Sequence, residues 1–222
     1  MADPALIKPQ KSKWQRAFLF SLPVLFAVLL FIPNFYYSPE MTARVVTAEG
    51  KPVPGAIVLA SWTMHRSWTN YPLGQLKVAE VITDADGWFR VPAWGPVRPE
   101  SGLNVREPVV RIFKPGLVPL VIYNVEGVGM TSADHIIRFR LQGQTVTLEP
   151  FSGTPSQYFQ TLIPLLNSLD EIQGASKVRC QWRDRHRILL AVRDLPAAST
   201  IGRPVVARYD NDFLMNNCGD PP

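Results

Sequence analysis

Between Met41 and Pro150 no apolar run continues for long before residues that break regular structure interrupt it. Gly50-Lys-Pro-Val-Pro-Gly55, Asp84-Ala85-Asp86-Gly87 and Pro115-Gly116 fall between runs rich in valine, isoleucine and aromatic residues. Proline lacks the donor that a helix interior or a central strand needs, so Pro52 and Pro54 belong to a connection. Asp-Gly between apolar segments accepts positive φ at little cost and predicts a hairpin. The chain carries 21 prolines against 14 glycines, which disfavours long helices here. The predicted strands are Thr42 to Ala48, Ala56 to Thr63, Leu76 to Thr83, Trp88 to Val91, Val109 to Lys114 and Val118 to Tyr123. Two more show strict alternation: Ile137, Phe139 and Leu141 against Arg138 and Arg140, then Gln144 to Glu149. Short strands at this spacing without a βαβ pattern imply a mainly β fold, an antiparallel β-sandwich.

Upstream lies Ala17 to Ile32, a run of apolar and uncharged residues. As a helix it covers about 24 Å, and counting through Tyr37 brings it to about the 30 Å of a bilayer core. Residues 17-37 are therefore expected to be a transmembrane helix, with Trp14 at one end and Tyr36 and Tyr37 at the other as membrane-interface anchors. Bulky residues from Ile32 to Ser38 supply no small-residue cleavage site, so an uncleaved signal anchor is expected over a cleaved signal peptide. Lys8, Lys11, Lys13 and Arg16 against Asp3 place most of the chain's net +5 before this run. Such a cluster keeps the N-terminus cytoplasmic and sends the rest across. The expectation is a single-pass protein of a bacterial inner membrane with a periplasmic C-terminal domain.

The order Gly50-Lys-Pro-Val-Pro-Gly-Ala-Ile-Val58, then Thr83-Asp-Ala-Asp-Gly-Trp-Phe-Arg-Val91, then Val110-Arg-Ile-Phe-Lys-Pro-Gly-Leu-Val-Pro-Leu120 resembles the carboxypeptidase regulatory-like domain. The likeness spans about residues 42 to 150, within a predicted domain at 41-150, and Leu117 departs from it where tyrosine is more usual. It implies a transthyretin-like Greek-key sandwich serving as an accessory module. The metallopeptidase domain that gives the family its name is absent, so peptidase activity is not carried over.

Residues 151-222 read as a helical C-terminal extension with a disordered tail. Thr154-Pro155-Ser156-Gln157 has the form of a capping box with proline at the first helical position. Tyr158, Phe159, Leu162, Ile163, Leu166 and Leu169 then follow near helical spacing. Pro164 is expected to kink or split this helix, and Arg187 to Arg193 to form a second short helix or a strand. Cys180 and Cys218, in an exported domain, are a candidate disulfide.

No nucleophile, phosphate-binding or dinucleotide motif occurs. His65, His135 and His186 lie on separate segments, and the Asp84 turn lacks the later glycine and glutamate of a calcium loop, so neither metal nor cofactor is expected. Two surfaces suit binding. Trp68 and Tyr71 stand among polar residues in a loop, and Arg183, Arg185 and Arg187 belong to a basic stretch. These features imply a membrane-anchored, non-catalytic binding or structural module, a subunit of a cell-envelope complex rather than an enzyme. The alternatives are a carbohydrate or small-ligand binding module, and a hydrolase with an unrecognised site. The expected partners are the lipid bilayer, other envelope or membrane proteins and a glycan. Nucleic acid is not among them.

Overall fold

The computed structural model describes residues 35–69, 71–98, 103–123, 136–170, 187–193 and 195. The strands in chain order are β1 (Tyr36–Ser38), β2 (Met41–Thr47), β3 (Ile57–Arg66), β4 (Pro72–Ile82) and β5 (Trp88–Val91). They continue with β6 (Trp94–Val97), β7 (Leu103–Val105), β8 (Val109–Phe113), β9 (Leu120–Tyr123) and β10 (Thr145–Leu148). Two helices follow, α1 (Pro155–Asp170) and α2 (Arg187–Arg193). One sheet has the order β10-β2-β5, a larger one β4-β3-β8-β9 with β7 added to β3, and β1 pairs with β6.

Period-two alternation decides which side chains meet between the sheets. From the small sheet Ala43 and Val45 of β2, Phe89 and Val91 of β5, and Val146 and Leu148 of β10 point inward. Val58, Ala60 and Trp62 of β3 and Val110 and Ile112 of β8 oppose them. The other face of the large sheet offers Ile57, Leu59 and Phe113, which α1 covers with Phe159, Leu162, Leu165, Leu166 and Leu169 and α2 with Ile188 and Val192. The result is three layers: small sheet, large sheet, helices. Each nearly inaccessible leucine of α1 contributes about 1.5–3 kcal/mol by leaving water.

The turn chemistry acts as expected. Asp84 Oδ1 accepts from the backbone N–H of Asp86 at 3.0 Å and of Trp88 at 2.8 Å, while Gly87 donates to the Asp84 carbonyl at 3.0 Å. The carboxylate is thus committed to the hairpin turn. The prolines of Gly50–Gly55 sit in a loop that folds back on β2, with Thr47 N–H donating to Lys51 and Val53 N–H to Val45. Thr83 closes this loop, its hydroxyl donating to the Val53 carbonyl at 2.6 Å and accepting from Ala56 N–H at 2.8 Å.

Several expectations change. The sandwich is not wholly antiparallel: β10 runs parallel to β2. Residues 137–141 do not form a strand, although Ile137 and Phe139 are buried while Arg138 and Arg140 are exposed. This segment is held by an isolated bridge from Ile136 to Tyr37, and its alternation reflects an extended chain laid along the core. Tyr36, expected at a headgroup, is 4% exposed in the core, and Tyr37 flanks it in β1. The chain is committed to sheet from Tyr36, so a span drawn to Tyr37 overlaps the sandwich. Pro164 does not split α1, because it lies on the helix's exposed face, where water can satisfy the freed carbonyl. The segment 187–193 is a helix. Among the described residues no helix is long and apolar enough to cross a membrane. Residues 17–34, Trp14, and the C-terminal tail lie outside the described residues.

Candidate functional site

Among the described residues the two most exposed large hydrophobic side chains belong to the β3–β4 hairpin. Antiparallel pairing carries both strands beyond the body of the sheet, and the N–H of Arg66 donates to the carbonyl of Tyr71 at 2.9 Å to close the loop. Strand β7 supports the outer part of β3, pairing Met64, His65 and Arg66 with Val105, Asn104 and Leu103. Trp68 at the tip is 93% exposed and Tyr71 is 65% exposed. An indole left almost wholly in water is unusual for a folded domain. Both stand in the loop that the sequence offered as a binding surface.

Below the tip, the helix-facing side of the large sheet turns from apolar to polar. Ser61, Thr63 and His65 occupy alternate positions on β3, and Thr63 donates to Gln75 Oε1 at 3.1 Å. Arg111 on β8 is wholly buried. Its Nε donates to Ser168 Oγ at 2.8 Å, Nη1 to Ser61 Oγ at 2.8 Å and Nη2 to the Ser168 carbonyl at 2.5 Å. Ser168 lies in the last turn of α1, where the carbonyls carry partial negative charge, so a buried guanidinium is well placed there. Arg111 is a clamp between sheet and helix that no motif reveals; the only sequence signal is an arginine inside the apolar strand VVRIF.

A shallow cleft opens where β4 and β5 diverge into separate sheets, lined by Thr42, Ile82, Asp84, Trp88, Phe89 and Arg90. Arg90 pairs with Glu40 at 3.3 Å on its rim, where both side chains are well exposed and the pair adds little stability. In the core between the sheets, Trp62 and Trp94 pack edge to face with ring centroids 5.3 Å apart, and among the described residues neither indole N–H has a partner.

Of the three arginines only Arg187 is described, and it lies away from the aromatic tip. Arg187 opens α2, where its backbone N–H and that of Ile188 donate to the Glu80 carboxylate at 3.2 and 3.4 Å. Glu80 is eight strand positions beyond Pro72, roughly 27 Å along β4 from the start of the hairpin loop. Arg183, Arg185, His135, His186, Cys180 and Cys218 lie outside the described residues. Among those described, no three histidine, cysteine, aspartate or glutamate side chains gather as a metal group.

No family model matches the chain, and no curated protein does. Solved structures do align with it. A 3-chlorocatechol 1,2-dioxygenase from Rhodococcus opacus is 16% identical, with 55% of this chain and 62% of that one covered and a TM-score of 0.33. A hydroxyquinol 1,2-dioxygenase from Pseudomonas putida is 14% identical over 54% of this chain and 58% of its own, with a TM-score of 0.30. The major plantain pollen allergen is 10% identical over 54% of this chain and 97% of its own, with a TM-score of 0.27. The chain spans about three fifths of the length of these dioxygenases.

These comparisons correct the sequence reading. The resemblance to the carboxypeptidase regulatory-like, transthyretin-like domain is not supported: no family model matches, and the aligned structures include dioxygenases and an allergen instead. Its corollaries go with it. The reading as a non-catalytic module, whether structural or carbohydrate-binding, does not stand, and neither does the exclusion of enzymes, since the proteins that align include enzymes.

Proposed function

We propose that this chain is held at a bacterial inner membrane by its N-terminal apolar run and meets another membrane protein through the tip of the β3–β4 hairpin. The carrying observation is Trp68, 93% exposed, with Tyr71 65% exposed in the same loop, on a hairpin whose β3 strand pairs with both β4 and β7. Two aromatic side chains displayed together offer large contact area for few rotatable bonds. The tether favours a membrane partner by confining both molecules to one surface, which raises their effective concentration. In this reading the span ends by Asn34, ahead of β1, with the basic N-terminus in the cytoplasm and the sandwich in the periplasm.

Two measurements test the proposal. Protease added to intact spheroplasts should degrade the sandwich and spare the extreme N-terminus; a fully protected sandwich rejects the topology. A photo-crosslinking amino acid at position 68 or 71 should give one discrete membrane-protein adduct, with none from exposed Lys51 in the opposite loop. Equal adducts from all three positions, or none, reject the tip as the contact.

A further inference from the structure

Strand β1 divides its side chains between two environments. Tyr36 and Ser38 turn into the core, while Phe35 and Tyr37 turn outward, 47% and 40% exposed. The backbone that carries them is bonded on both flanks: β6 pairs antiparallel with β1, and on the other side Ile137 N–H donates to the Tyr37 carbonyl at 2.8 Å. Tyr36 lies opposite Val97, and one further step of that register, away from the irregularity between Tyr36 and Ser38, sets Arg98 beside Phe35. Val97 and Arg98 are both exposed, and Arg98 forms no ion pair among the described residues. Gly95 leaves room for the Tyr37 ring against β6: a Cβ there would meet the Tyr36 carbonyl oxygen at 2.6 Å and Tyr37 Cδ2 at 3.4 Å. Two outward rings and a valine, with a cation at their margin, thus share one face of the β1–β6 pair.

The position of this face in the chain identifies what it meets. The apolar run ends at Ile32, three residues before Phe35 and five before Tyr37. A fully extended chain advances about 3.3–3.6 Å per residue, so Phe35 stays within about 11 Å of the end of that run and Tyr37 within about 18 Å. The headgroup layer is itself about 5–8 Å deep on each side of a bilayer. A face on so short a lead is held at the membrane surface. Aromatic side chains favour that level, and a cation beside them can meet lipid phosphate.

We infer that the β1–β6 face rests in the headgroup layer of the bilayer that the apolar run crosses, with Phe35, Tyr37 and Val97 entering it and Arg98 meeting lipid phosphate. This rests on the N-terminal run being a span, and adds an orientation to it: the sandwich lies on the membrane by this face instead of swinging free on its lead. Of the two tyrosines that follow the run, only Tyr37 serves the membrane, since Tyr36 belongs to the core.

The test uses the full chain in nanodiscs of phosphatidylethanolamine and phosphatidylglycerol. A spin-labelled unnatural amino acid, which leaves Cys180 and Cys218 untouched, is placed at position 35, 97 or 51 in turn. Labels at 35 and 97 should be at least threefold less accessible to a water-soluble nickel relaxant than the label at 51, in the exposed loop before β3, and more accessible to oxygen dissolved in the lipid. Tyr37→Glu should raise the nickel accessibility of the label at 97 at least twofold with an unchanged circular dichroism spectrum. Carbonate extraction of native membranes checks the span separately. Protein retained after extraction, with all three labels equally open to nickel or with no response to Tyr37→Glu, overturns this inference and leaves the span standing. Protein released by carbonate removes the span, and this inference with it.

Discussion

Two buried side chains join the layers, and each supports a distinct measurement. The Tyr158 hydroxyl accepts from Gly116 N–H at 3.0 Å and donates to the Leu117 carbonyl at 2.9 Å, tying α1 to the β8–β9 turn. Burial raises its ionisation above the ordinary 10.0, against the lowering effect of the Gly116 N–H. The folded state therefore keeps this proton at pH values where the unfolded chain has lost it. The resulting stability is complete below the unfolded value and lost as pH rises through the folded one. Tyr158→Phe should cost about 1–2 kcal/mol in urea unfolding at neutral pH and flatten the fall in stability above pH 10. Arg111→Ala leaves buried oxygens of Ser61 and Ser168 without their donor and should cost roughly 3–5 kcal/mol in the same assay. Two turn glycines should separate cleanly. A Cβ at Gly87 would meet the Val45 carbonyl oxygen at 2.3 Å, whereas at Gly50 it would meet nothing within 4 Å, although φ is positive at both. Gly50→Ala is expected to cost about 1 kcal/mol and Gly87→Ala at least twice that, measured by thermal unfolding.

The elements show which patterns are legible in sequence. The strands β2, β3, β4, β5, β8, β9 and β10 were readable because aspartate-glycine, proline-glycine and paired prolines punctuate them, and turn chemistry acts locally. The start of α1 was readable for the same reason. Thr154 Oγ1 accepts from Gln157 N–H at 3.3 Å while Gln157 Oε1 accepts from Thr154 N–H at 2.8 Å, the reciprocal pair that the capping box predicts. Thr154→Ala should remove about 1 kcal/mol, seen as a lower denaturation midpoint. By contrast β6 is Trp-Gly-Pro-Val, whose glycine and proline argue against a strand; it exists because its neighbour β1 supplies the pairing. Strand β1 was hidden because Tyr36 and Tyr37 follow an apolar run and match an interfacial belt equally well. The hairpin tip was legible as aromatics among polar residues, yet Arg111 was not, because its partners lie 50 and 57 residues away in sequence.

At the scale of the whole molecule, two cores share one sheet: sandwich interior on one face, helices on the other. The exposed hairpin tip lies outside both. Trp68→Ala should therefore leave unfolding within about 0.5 kcal/mol of wild type while abolishing the photo-adduct from position 71. A stability loss well beyond that would show the indole to be packed rather than displayed.

The parallel pairing of Thr145–Leu148 with Arg44–Thr47 sets a schedule for making this domain. A ribosome delivers β2 about a hundred residues before its central position in the small sheet can be filled on that side. Until then only β5 flanks it, and inward residues such as Val45 have no finished layer to enter. Nascent chains released before Thr145 should remain protease-sensitive, and resistance should appear only once the segment through Leu148 has emerged. Birth order thus leaves the first half of the domain waiting for its keystone.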